Sequence, residues 1–89
     1  MKLTIISDDK TVYVDGVSYG DLLLSTIPSN VHALQWKETT GWIEFNDGTN
    51  NEPIDTLPQW ANDSVGVWVI ANTPPPPPAV PEVIPEVVA

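Results

Sequence analysis

Short runs of alternating apolar and polar residues, cut by turn signals, dominate the first 54 positions of the chain. Leu3-Thr-Ile-Ile6 is apolar and β-branched, and the polar turn Ser7-Asp8-Asp9-Lys10 closes it. Thr11-Val-Tyr-Val14 and Val17-Ser-Tyr19 flank Asp15-Gly16, a strong short-range hairpin signal because a two-residue type I′ turn needs positive φ at both central positions. That loop sets Val14 opposite Val17, Tyr13 opposite Ser18 and Val12 opposite Tyr19, so Val12, Val14, Val17 and Tyr19 share one face. After Gly20-Asp21, Leu22-Leu-Leu24 suggests a helical turn or irregular packing that ends at Pro28.

Val31–Lys37 and Gly41–Phe45 predict a second hairpin across Glu38–Gly41. Pairing Lys37 with Trp42 gives a buried face of Leu34, Trp36, Ile43 and Phe45, and leaves Gln35, Lys37, Trp42 and Glu44 on the other side. Asp47-Gly48 turns the chain into Asn50–Pro53, where Pro53 permits at most an edge strand. Ile54, Leu57, Trp60 and Ala61 recur at helical spacing, with Asp55 or Thr56 as a cap and Pro58 in the first turn, and predict a short helix. Val65–Ala71 reads as a closing strand. The expected fold is mainly β: a small antiparallel meander or sandwich-like domain of about five strands with one short helix. Trp36, Trp60 and Trp68 are its expected core centre, because each aromatic ring buries about 150–250 Å².

From residue 74 the pattern changes. Pro74, Pro75, Pro76, Pro77 and Pro78 lack backbone N–H groups and have fixed φ, which excludes helix and central strand. They favour a polyproline II rod rising ~3.1 Å per residue, about 15 Å in all. Val80-Pro81-Glu82-Val83 and Ile84-Pro85-Glu86-Val87 follow as a loose four-residue repeat with an apolar side. The chain therefore divides into a domain over 1–73, a spacer over 74–78 and an extended apolar tail over 79–89. The stiff rod and the apolar residues Val80, Val83, Ile84 and Val87 beyond it suggest a docking segment, and Trp42 is the matching contact candidate in the folded part. The proline run also has the character of a ligand for an aromatic groove of the SH3 or WW type.

Composition narrows the function. The chain has 89 residues, a net charge of −9, three lysines and no arginine. Glu82 and Glu86 belong to the tail, so residues 1–73 carry −7 of that total. Nucleic acid and anionic membranes are read by fields of Lys and Arg, so neither is an expected partner. Met1–Ile6 is too short for a signal-peptide core, and no stretch reaches the ~20 apolar residues of a membrane span. With no cysteine, neither disulfides nor thiolate metal sites staple a domain this small.

Candidate chemistry is sparse. His32, the single histidine, stands without cysteine, a second histidine or a carboxylate at ligand spacing and reads as structural. Asn46–Glu52 superficially resembles a calcium loop but lacks the D-x-[DN]-x-[DN]-G spacing and the closing glutamate. No nucleophile elbow or phosphate cradle is visible, so neither an enzyme, a cofactor nor a small-molecule substrate is expected.

The blocks Val14-Asp-Gly-Val-Ser-Tyr19 and His32-Ala-Leu-Gln-Trp36, with Lys2–Ile6, Ile27-Pro28, Gly41–Phe45, Ile54-Asp55 and Trp60, resemble small proteins of tailed bacteriophages and prophages, encoded near tail and tail-fibre genes. The resemblance covers about residues 1–71 and leaves out the proline tail. It implies a virion or tail-associated protein with other phage structural proteins as partners, made in the host cytoplasm, and supplies no catalytic residues. The expected role is a virion accessory protein that attaches through its C-terminal tail. A tail-fibre assembly chaperone is the alternative, and an acidic inhibitor of a host protein a weaker one.

Overall fold

The computed structural model describes residues 1–73. Six antiparallel strands form one sheet: β1 (Lys2–Ile6), β2 (Thr11–Val14), β3 (Val17–Tyr19), β4 (Val31–Lys37), β5 (Thr40–Phe45) and β6 (Glu52–Ile54), followed by helix α1 (Gln59–Asn72). Their spatial order is β3-β2-β1-β4-β5-β6. The fold is mainly β, as expected, with six strands in place of about five and one sheet rather than a sandwich. Nor is it a simple meander. After β3 the chain returns over Gly20–Asn30 to lay β4 beside β1, a Greek-key step that makes β1 a central strand.

Alternation along the strands sends Leu3 and Ile5 of β1, Val12 and Val14 of β2, and Leu34 and Ile43 to one face, where all are buried together with Val31 and Ala61. The β2–β3 hairpin has the register expected of Asp15-Gly16, with φ of 51° and 88° at the two turn residues. Asp15 also ties the turn to β1: its Oδ1 accepts from the Lys2 backbone N–H at 2.8 Å, and its own N–H donates to the Lys2 carbonyl at 2.9 Å.

The second hairpin departs from expectation by two residues. Lys37 pairs with Thr40, Gln35 with Trp42 and Leu34 with Ile43, so the turn is Glu38-Thr39 alone. Glu38 takes a left-handed φ of 60°, and the start of β1 holds it there. Its N–H donates to the Met1 carbonyl at 2.9 Å, and the terminal ammonium lies 3.2 Å from Glu38 Oε2. A shift of two preserves the faces, because side chains alternate with a period of two. A bulge between Val31 and Ala33 then returns Val31 to the side of Leu34, three residues on, which unbroken alternation forbids.

The largest correction lies at the C-terminal end of the domain. Val65–Ala71 is not a closing strand; it lies inside α1. The short helix expected over Ile54–Ala61 is also absent as such: Ile54 ends β6, and the helix begins after Pro58, not at a cap on Asp55 or Thr56. Pro58 precedes the first helical residue, and its carbonyl accepts from Ala61 and Asn62 at 3.0 and 3.2 Å. Trp60, Ala61, Ser64, Val65 and Trp68 make a stripe at helical spacing, with Ala61 and Ser64 fully buried. Ser64 is accommodated because its hydroxyl donates to the Trp60 carbonyl at 2.9 Å.

Three contacts pin the C-terminal half of α1 to edge strand β3. Trp68 Nε1 donates to the Val17 carbonyl at 2.9 Å, Tyr19 hydroxyl donates to Asn72 Oδ1 at 2.8 Å, and the Tyr19 and Trp68 rings meet edge-on at 6.0 Å. Trp36, Trp60 and Trp68 are only partly buried and pack around the core, so the expectation of a tryptophan centre is corrected: Leu3, Ile5, Val12 and Leu34 occupy it. Leu22, Leu24 and Ile27 of the irregular return loop complete the covering layer.

Gly41 marks the tightest approach in the sheet. A Cβ there would collide with the Gln35 carbonyl and lie 2.8 Å from Trp36 Cα, both backbone atoms of β4 that cannot step aside. Gly41→Ala is therefore expected to destabilise by about 3 kcal/mol or more, among the larger single-residue effects. Urea denaturation measures it, and a change below about 1 kcal/mol would show that β4 and β5 part easily.

Candidate functional site

The core, α1 and the return loop occupy one face of the sheet, and the opposite face is open. Along its middle runs one row of directly paired residues, Ser18–Tyr13–Thr4–Gln35–Trp42–Pro53, that crosses all six strands. Tyr13 and Trp42 are 41% and 44% exposed and rise from this row three strand spacings apart. Between them lies a cleft of about 540 Å³ whose walls and floor include Lys2, Thr4, Tyr13, Gln35, Lys37 and Trp42.

Hydrogen bonds order the floor. Thr4 Oγ1 donates to Gln35 Oε1 at 2.7 Å, which fixes the amide and leaves its NH2 group as the donor over the cleft. Trp42 Nε1 donates to Glu44 Oε2 at 2.8 Å, so the indole is braced from its own strand. Lys2 and Lys37 face each other directly across β1 and β4, one step along the strands from the row. Two of the three lysines in a chain of net charge −9 thus meet at one place. Like charges directly opposite in a sheet are unfavourable, so neighbouring strands give no stability reason for the pairing.

Trp42 is the one sequence-derived contact candidate among the described residues, and it stands exposed at the cleft. Pro74, Pro75, Pro76, Pro77, Pro78, Val80, Val83, Ile84 and Val87 lie outside the described residues. The sequence reading missed Tyr13, Thr4, Gln35 and the two lysines as partners of Trp42. The first hairpin already places Tyr13 on the polar face, but its alignment with Trp42 depends on β1 joining β2 to β4, a non-local pairing that local patterns do not encode.

Elsewhere the polar groups have local explanations. His32 lies in the β4 bulge, its Nδ1 3.6 Å from Asp8 Oδ2, with the imidazole partly exposed and the carboxylate largely solvated. Asp47 is held below its ordinary 3.8 chiefly by hydrogen bonds from the Thr49 side chain and backbone N–H, the bonding of a polar turn. Among the described residues, no three His, Cys, Asp or Glu side chains converge as a metal site would require, and no helix is long and apolar enough to cross a membrane. A second apolar exposure sits at the end of α1, where Val69 and Ile70 are 49% and 76% exposed.

Comparison of the chain with protein-family models, curated proteins and solved structures gives no match.

The Lys2–Lys37 juxtaposition yields a direct test. Lys37→Thr is expected to raise folding stability by about 0.5 kcal/mol, seen as a rise in Tm of roughly 2–4 °C for a domain of this size. A lower Tm would mean that the lysine stems contribute more by packing than the charges cost.

Proposed function

We propose that this protein is a non-catalytic attachment module, a virion accessory protein of a tailed phage that joins a neighbouring subunit through its proline-rich C-terminal segment. The observation that carries the binding part is the open sheet face: two exposed aromatics frame an ordered polar floor beside the main concentration of positive charge. Protein interfaces are enriched in such aromatic anchors and depleted of lysine at their centres, and here the lysines flank the aromatic row instead of interrupting it. Polar chemistry among the described residues is taken up by turns, caps and strand pairing, which favours a binding role over a reaction. The particle association rests on the resemblance of residues 1–71 to small tail-associated phage proteins, and the docking role rests on the proline rod and the apolar repeat after it.

Particles assembled with a chain lacking residues 74–89 test this reading. The truncated protein is expected to be absent from purified particles while the full chain is present in fixed stoichiometry by quantitative mass spectrometry. Stoichiometric recovery of the truncated chain would contradict attachment through the tail. Absence of the full chain from particles would contradict the virion role itself.

A further inference from the structure

We propose that the Tyr13–Trp42 cleft is a receptor for polyproline and that its occupant is the Pro74–Pro78 run of a second copy of this chain, so that copies join head to tail. The inference deepens the attachment reading by naming the receiving surface and the neighbouring subunit.

Length is the first argument. Strands in a sheet lie ~4.8 Å apart, so Tyr13 and Trp42, three spacings from each other, stand about 14 Å apart across the face. A five-residue polyproline II rod is about 15 Å long. Lying across the strands, it spans the cleft from one ring to the other.

Chemistry is the second. A proline run presents apolar rings and backbone carbonyls, and no N–H at all. Its complement is a surface of aromatic faces and donors. The cleft has that composition: the Tyr13 and Trp42 rings, the Gln35 amide NH2, the Tyr13 hydroxyl and the ammonium groups of Lys2 and Lys37. The proline run itself is uncharged, and the charged side chains that follow it, Glu82 and Glu86, are acidic and so opposite in sign to the two lysines.

Connectivity decides between the chain's own tail and that of another copy. Helix α1 ends on the covered side of the sheet, where Asn72 is bonded to Tyr19 of edge strand β3. Only Thr73, itself extended, separates the helix from Pro74. A rod that starts there would have to bend round the β3 edge to reach its own open face, and five residues of fixed φ provide no hinge. The proposal therefore assigns the cleft to the run of another molecule. A contact that uses one surface on the donor and a different one on the receiver is heterologous and extends into a chain or closes into a ring.

Sedimentation of the purified full chain up to about 1 mM, where weak contacts become populated, provides the test. The average mass is expected to rise with concentration. Trp42→Ala, and separately the triple change Pro75→Gly, Pro76→Gly and Pro77→Gly, should each weaken association roughly tenfold or more, as removal of an aromatic anchor does. Each variant should keep the cooperative urea unfolding of the parent domain, since Trp42 stands outside the core and the replaced prolines lie beyond residues 1–73. Mixed in equal amounts, the two variants should form a one-to-one dimer that does not extend, because one keeps a tail and the other a cleft. A full chain that stays monomeric throughout, or that associates equally well after Trp42→Ala, overturns the proposal. So does a monomer whose Trp42 indole NMR signal shifts when the prolines are replaced, which would put the tail on its own cleft. Self-association is read without particles, so a monomeric chain that still needs its tail for incorporation refutes this inference and leaves the attachment role standing.

Discussion

One helix can cover only one face of a six-stranded sheet, and the rest of this structure follows from that limit. Six strands at ~4.8 Å spacing make a layer about 24 Å wide, and a helix of 14 residues is about 21 Å long and 10 Å across. The domain places α1 over β2 and β3 and extends the cover with Leu22, Leu24 and Ile27 from the return loop and Leu57 before the helix. Nothing remains in residues 1–73 to roof the second face. That face must be tolerable in water, and Thr4, Gln35, Lys2 and Lys37 make it so. Tyr13 and Trp42 are the exceptions, large rings left on a side the domain does not cover.

The sequence was most readable where structure is local. Asp15-Gly16 dictated its hairpin down to individual pairs because the turn geometry demands positive φ at adjacent residues. Face assignments in β4 and β5 survived a misjudged turn because the error was even. Two non-local features escaped. Val65–Ala71 is rich in β-branched residues and reads as strand, yet the stripe Trp60, Ala61, Ser64, Val65, Trp68 wins because it buries a continuous face against the sheet. Ser64 concealed that stripe, since its burial relies on a bond to the Trp60 carbonyl that composition cannot reveal. The exposed Val69 and Ile70 blurred it further by making the helix apolar on several sides.

The candidate site was half legible for the same reason. Trp42 was identifiable as an apolar residue on a polar strand face, and the proline run as a ligand-like segment. The complementary half, Tyr13 with the Thr4–Gln35 floor, exists only once β1 sits between β2 and β4. The Greek-key return thus does two things. It buries β1 at the centre of the core, and it draws the aromatics of two separate hairpins into one row. It also sets Lys2 against Lys37, a placement that costs folding energy and makes sense if the face is occupied in the assembled state.

The account stands on polyproline recognition by the open face, and the four indole N–H signals of the full chain report on it directly. Titration of the 15N-labelled protein with a synthetic peptide of residues 74–89 should move the Trp42 indole and the backbone amides of Thr4 and Gln35, with the Trp60 and Trp68 indoles unchanged. Shifts centred on Trp60, Trp68 and Ile70, with Trp42 still, would mean that the helix side receives the tail and would contradict the account.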